Sequence, residues 1–200
     1  MALISVSNNA LQNITAVPAS IPTGALVLLS TQTASSSASL SFTSGIDSTY
    51  DSYVFKFIDI HPSLDSSLFE FQGSTNGGST YGVTITSTDF LAYNHESNSA
   101  TDLTYATSFD LAQSTAYQTL AESGNDNDQS TSGFLQLFAP SSGTFVKHFI
   151  SRTSMTQKND YMQDNFIAGY FNTTSAINAV QFKMSSGNID DGIIKLYGVK

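Results

Sequence analysis

Cysteine is absent from the 200 residues, which excludes disulfides, thiolate metal sites and a cysteine nucleophile. Stability must then come from packing and strand pairing, or from neighbouring subunits. Charge is scarce as well. Asp, Glu, Lys and Arg make up 12% of the chain, about half of the ~25% usual in soluble domains. Ser, Thr, Asn and Gln take their place and give a polar surface with little self-repulsion, suited to packing within an assembly. The net charge is −9, from 7 basic and 16 acidic residues. The cations Lys56, Lys147, Arg152, Lys158, Lys183, Lys195 and Lys200 are scattered. Nucleic-acid binding needs several phosphate-neutralising cations close together, so no nucleic-acid partner is expected. Long apolar runs are also missing. The longest, 25–29, is far too short to cross a bilayer. The first residues show neither the cationic start nor the apolar run of a signal peptide, and no membrane partner is expected.

What the chain does have is a series of short runs that alternate aromatic or β-branched residues with polar ones. Val180, Phe182 and Met184 fall on one side of such a run, with Gln181 and Lys183 on the other. Tyr53, Phe55 and Phe57 share a face in the strongest run, opposite Val54, Ile58 and Ile60, and Pro62 ends it. Phe69 and Phe71 point inward with Glu70 outward. The turn Asn76-Gly77-Gly78 predicts a hairpin between 68–74 and 81–86. Further strands are expected at 25–31, 40–42, 134–138, 145–153, 165–171, 177–184 and 193–199. Phe109, Ala112, Ala116 and Leu120 lie at helical spacing, which predicts one short helix, although Ser and Thr weaken it.

About ten strands with short polar connections imply an all-β fold, an antiparallel two-sheet β-sandwich of jelly-roll type spanning 24–200. Residues 1–23 read differently. Leu3, Ile4, Val6, Leu11, Ile14 and Val17 are isolated apolar residues with no sustained period, and Pro18 and Pro22 block ladder bonding. An extended N-terminal arm is expected there, lying on its own domain or on a neighbouring subunit.

Catalytic patterns are weak. His61, His95 and His148 are the only histidines, and none pairs with another at metal-ligand spacing. His148, on a strand, is expected to be a partly buried structural residue. Asp126 and Asp128 alternate with Asn in a polar loop, as Ca²⁺ ligands do, but the loop lacks the glycine and terminal glutamate of a helix-loop-helix calcium site. Asp190-Asp191 reads as a turn. The glutamates Glu70, Glu96 and Glu122 supply no evident pair for glycoside cleavage. No nucleophile elbow and no phosphate loop occur. The expectation is a protein that is not an enzyme and needs no cofactor. Tyr50, Tyr81, Tyr93, Tyr105 and Tyr117 sit in or near loops, where tyrosine fills subunit interfaces or stacks on sugar rings. The interface is the favoured reading. Tyr93 and Tyr105, together with the apolar residues of the arm, form the candidate interface.

The stretches 21–29, 41–50, 53–62, 145–149, 169–175 and 182–199 give the chain a further character. In these it resembles a group of bacteriophage virion-associated proteins common in marine phages. The resemblance covers most of the chain and carries no catalytic motif. It implies a structural role on a capsid or tail, foremost that of a decoration or cement protein on the capsid exterior. The major capsid protein or other virion proteins are then the expected partners, with self-association into a homo-oligomer, a trimer by preference. The alternative is a tail or head-fibre module that binds host-surface glycans.

Overall fold

The computed structural model describes residues 26–200. The expected arm, with Leu3, Ile4, Val6, Leu11, Ile14 and Val17, lies outside the described residues. Twelve strands pair in two antiparallel sheets. They are β1 (Val27–Thr33), β2 (Leu40–Phe42), β3 (Ser52–Pro62), β4 (Ser67–Ser74), β5 (Ile85–His95), β6 (Thr101–Tyr105), β7 (Gln118–Ser123), β8 (Thr131–Phe138), β9 (Lys147–Gln157), β10 (Tyr161–Phe171), β11 (Ala179–Met184) and β12 (Ile189–Val199). One sheet has eight strands in the order β1-β12-β3-β8-β9-β10-β5-β6. The other has four, β2-β11-β4-β7. The antiparallel two-sheet sandwich expected from the alternating runs is the architecture that forms.

The alternation does the sorting, because successive side chains leave a strand on opposite faces. In β9, Phe149, Ser151, Thr153 and Met155 are buried between the sheets, while His148, Ile150, Arg152 and Ser154 face out. Phe55 and Phe57 from the large sheet meet Phe69, Phe71 and Phe182 from the small one in a buried aromatic cluster. Strand β12, predicted from the last apolar run, lies between β1 and β3. Gly169 is required where β10 passes under Phe149, since a Cβ there would lie 2.6 Å from the Phe149 ring and 2.8 Å from the Thr86 carbonyl oxygen.

Four expectations are corrected. The turn at Asn76-Gly77-Gly78 forms, and Ser74 Oγ accepts from the Asn76 and Gly78 amides at 3.2 and 3.0 Å. It does not close a hairpin, because β4 pairs with β11 and β7 in the small sheet while β5 pairs with β10 and β6 in the large one. The turn carries the chain from one sheet to the other.

The second correction concerns the helix, which is absent. Residues 106–117 run irregularly beside β5, with a turn at 107–109, the amides of Ala106 and Ser87 donating to Asp89 and Leu111 carbonyls, and a bridge between Ile85 and Ser114. Gln72 Nε2 donates to the Thr115 and Ala116 carbonyls. The β5 edge and this amide satisfy backbone groups that a helix would have paired internally, and Leu120 enters β7.

Third, Ile60 is buried with Phe57 instead of facing out with Val54 and Ile58. The pairing of β3 shifts between Phe57 and Ile60, and Asp59 adopts φ +50°. One extra residue in a strand reverses every side chain after it. Fourth, Phe145 precedes β9 and is 72% exposed.

Lys147 is fully buried. Its Nζ donates to the carbonyls of Phe145 and Thr173 at 2.8 and 3.2 Å, and no carboxylate pairs with it among the described residues. Burial disfavours the ammonium and lowers its pKa from 10.5. The unfolded chain therefore holds this proton to higher pH than the folded one, and stability contributed by this site rises as pH climbs toward 10.5. Urea titrations should show that rise in the parent protein and a flatter profile in Lys147→Met over the same alkaline interval.

Candidate functional site

Two features stand out at the end of the large sheet formed by β10, β5 and β6. The first is a cleft of about 400 Å³ on the inner side. Strand β5 supplies Leu91 and Tyr93, β10 supplies Tyr161 and Gln163, and β7 supplies Glu122. Gln157 and the run from Thr104 to Phe109 complete it. Tyr93 pairs in register with Gln163 and His95 with Tyr161. The Tyr161 ring stands at 84° to Tyr93, 5.5 Å between centroids, and at 86° to His95, 4.7 Å away. The result is a corner of perpendicular rings beside two amides and a carboxylate. Gln163 is only 3% exposed, and its Nε2 donates to Asn165 Oδ1 at 2.7 Å. Burial, and then the charge of Asp65, push the Glu122 carboxyl above its usual range, with Lys158 acting the other way. Lys158 itself pairs with Asp65 at 3.3 Å.

Glu122 is the single carboxylate among the described residues that line the cleft, whereas glycoside cleavage uses two across the scissile bond.

The second feature is a cross-strand ladder on the outer side. Phe134 is opposite Arg152, Arg152 opposite Phe166, Phe166 opposite Phe90 and Phe90 opposite Tyr105. The row crosses β8, β9, β10, β5 and β6. Phe90 and Phe166 stack in parallel, 4.9 Å apart with 1° between planes, and the Arg152 guanidinium lies 4.6 Å from the Phe166 ring centre. Arg152 also forks onto Asp164, Nε to Oδ1 at 3.1 Å and Nη2 to Oδ2 at 2.7 Å. Phe90 is 44% exposed, and Ile150, Met162 and Leu103 are exposed around it. A shallow apolar groove of about 360 Å³ runs along Phe90, Phe134, Ile150 and Phe166.

Of the five tyrosines singled out from the sequence, Tyr93 and Tyr105 share the cleft, Tyr93 close to the end of β5 and Tyr105 the last residue of β6. Tyr105 donates its hydroxyl to Asp110 Oδ2 at 2.7 Å, which with burial raises its pKa. The other three lie elsewhere. Tyr50 packs on Tyr53, Tyr117 donates to Gln181 Oε1 at 2.5 Å, and the Tyr81 hydroxyl is buried without a partner. Tyr161 and Gln163 were not evident beforehand. The available signal was the Asn159-Asp160 pair, both with positive φ, which marks a tight turn and so the start of a strand facing β5.

The histidines divide. His148 is exposed on the outer face at 5.9 Å from Tyr170, because β9 turns Lys147 inward in its place. His61 Nδ1 bonds the Gln129 carbonyl at 2.7 Å and ties β3 to the 125–130 loop. Asp128, Asp190 and Asp191 gather with Asp59 along an open groove. Among the described residues, no three His, Asp or Glu side chains are placed to hold a metal ion. Comparison with known protein families, curated proteins and solved structures finds no match to this chain.

Proposed function

We propose that this protein is a structural component of a bacteriophage particle, a decoration or cement protein that stabilises the capsid from its outer surface. The observation that carries the reading is the aromatic ladder across five strands of the large sheet. Contiguous exposed apolar surface on a soluble domain marks an interaction site. The ladder's one cation is neutralised by Asp164, so the surface offers apolar contact and little net charge. Its complement is an apolar, uncharged patch on the major capsid protein. Low charge keeps the desolvation cost of such a contact small. Antiparallel pairing holds the rings rigid, so little side-chain freedom is lost on docking. Copies repeated on a symmetric shell add weak contacts into strong attachment, and self-association into a trimer fits a lattice of that kind. The resemblance of residues 21–29, 41–50 and 182–199 to virion proteins of marine phages points the same way.

Co-sedimentation with purified capsids that lack this protein tests the reading. Phe90→Ala with Phe166→Ala should weaken binding by about 2–4 kcal/mol, as the loss of two central aromatic anchors does. Gln136→Ala, on the same face, should change it little. Parent protein that ignores capsids, or a double variant that binds undiminished, would refute the reading.

A further inference from the structure

The inner cleft differs from the ladder in chemistry and opens on the opposite face of the same strands, with Tyr105 at the edge of both. The geometry points to a carbohydrate-binding site, in which the Tyr93–Tyr161 corner with Gln157, Gln163 and Glu122 takes a ring of a neutral or N-acetylated sugar. A pyranose presents an apolar C–H face and a rim of hydroxyls. The two rings at 84° offer one aromatic face to the sugar's C–H side and a second wall at right angles to it.

Hydroxyls removed from water need partners. Gln157 and Gln163 both donate and accept, and Glu122 accepts when ionised. Gln163 is held by Asn165, so its amide is placed before a ligand arrives. About 400 Å³ is the scale of a small-molecule site, at the lower end of the roughly 300–1,000 Å³ range.

Charge selects the class of sugar. No lysine or arginine is among the described residues lining the cleft, whereas Glu122 is, and the chain carries −9 overall. An anionic sugar would meet like charge without a cation to offset it. The site does not depend on what the outer ladder docks to.

Calorimetric titration of the full chain with maltotetraose, cellotetraose, chitotetraose and tetragalacturonate tests the assignment. At least one neutral tetrasaccharide should bind and tetragalacturonate should not. Tyr161→Ala should weaken the neutral ligand by roughly threefold to tenfold, the value of one aromatic contact. Tyr161→Phe should keep most of the affinity. Gln157→Ala, on a half-buried side chain at the cleft wall, should also weaken binding without disturbing the core. Phe90→Ala should leave sugar affinity unchanged, which separates this site from the ladder. Absence of binding by all three neutral ligands overturns the assignment. So does affinity unaltered in both Tyr161→Ala and Gln157→Ala, or tighter binding of tetragalacturonate.

Discussion

Phe182→Ala is expected to lower the free energy of unfolding by about 3–5 kcal/mol, a large part of the roughly 5–15 kcal/mol that domains possess. Phe182 is fully buried on β11 at the centre of the small sheet. Its ring lies 5.1 Å from Phe55 and 5.3 Å from Phe57, both on β3 of the opposite sheet. Phe69, Phe42 and Phe71 surround it at 5.8, 6.1 and 6.3 Å. Truncation removes the transfer free energy of the ring and leaves a void walled by aromatics held on paired strands. Such walls collapse poorly, so the cavity cost persists. Edge-to-face contacts with Phe55 and Phe57 are lost too, each of about 0.5–1.5 kcal/mol. Urea unfolding should show a lower midpoint with an unchanged slope. Phe145→Ala removes the same atoms from a ring that is 72% exposed and should fall within about 0.5 kcal/mol of the parent. Equal losses in the two variants would contradict the role given to the inter-sheet cluster.

The same cluster explains what was legible in the sequence. Phe69, Phe71, Phe182, Met184, Phe55 and Phe57 were assignable to the core because period-two alternation reports directly which face a strand buries. Alternation is blind to which strands pair. The Asn76-Gly77-Gly78 turn was recognised, but its destination in the other sheet depends on contacts between β5 and β10, some eighty residues apart. It is equally blind to bulges, which is why Ile60 was placed on the wrong face. The segment from Phe109 to Ala116 carries apolar residues at helical spacing, yet its conformation is set by the neighbouring β5 edge and by Gln72, neither of which is local.

The site follows the same logic. Tyr93 and Tyr105 were visible as tyrosines beside polar loops. Their convergence with Tyr161, Gln163 and Glu122 is a product of sheet order alone. The ladder was also hidden, because each of its members lies on a different strand and only register aligns them.

Asp89→Asn should stabilise the protein at pH 8 by on the order of 2–4 kcal/mol, with the gain fading toward pH 4. Asp89 projects from β5 into the interior, is fully buried, and neither carboxyl oxygen has a protein partner. The Gln118 Oε1 is a second buried acceptor without a donor. Burial raises the Asp89 pKa from 3.8 to about 7, and the neighbouring Asp110 carboxylate adds to the effect. Tyr105, bonded to Asp110, is the other titratable group that feels Asp89.

In the unfolded chain the proton leaves near pH 4, while in the folded protein it stays until about pH 7. Between those values the unfolded state binds fewer protons, so stability falls as pH rises. Above pH 7 both states are ionised and the loss is complete. Asparagine has nearly the same shape and no charge to bury, so the difference between variant and parent isolates this one group from all other titrations. It should grow from near zero at pH 4 to its full value above pH 7, read by urea unfolding at each pH.

The local consequence falls on the cleft. The Asp89 carbonyl accepts from the Ala106 amide, and Ser87 accepts from the Leu111 amide through its Oγ. These bonds fasten the 106–111 segment, part of which lines the cleft, to β5. Charging Asp89 beneath that segment should loosen it before the sheets separate, because exposure of the carboxylate to water needs only local opening. Hydrogen exchange at Ala106 and Leu111, compared between parent and variant, should therefore diverge through pH 7 by more than the amides of β11, which follow only the global stability difference. A stability difference that is flat from pH 4 to 8 would mean the Asp89 carboxyl titrates normally, and uniform exchange across the segment and β11 would mean the charge is not relieved locally.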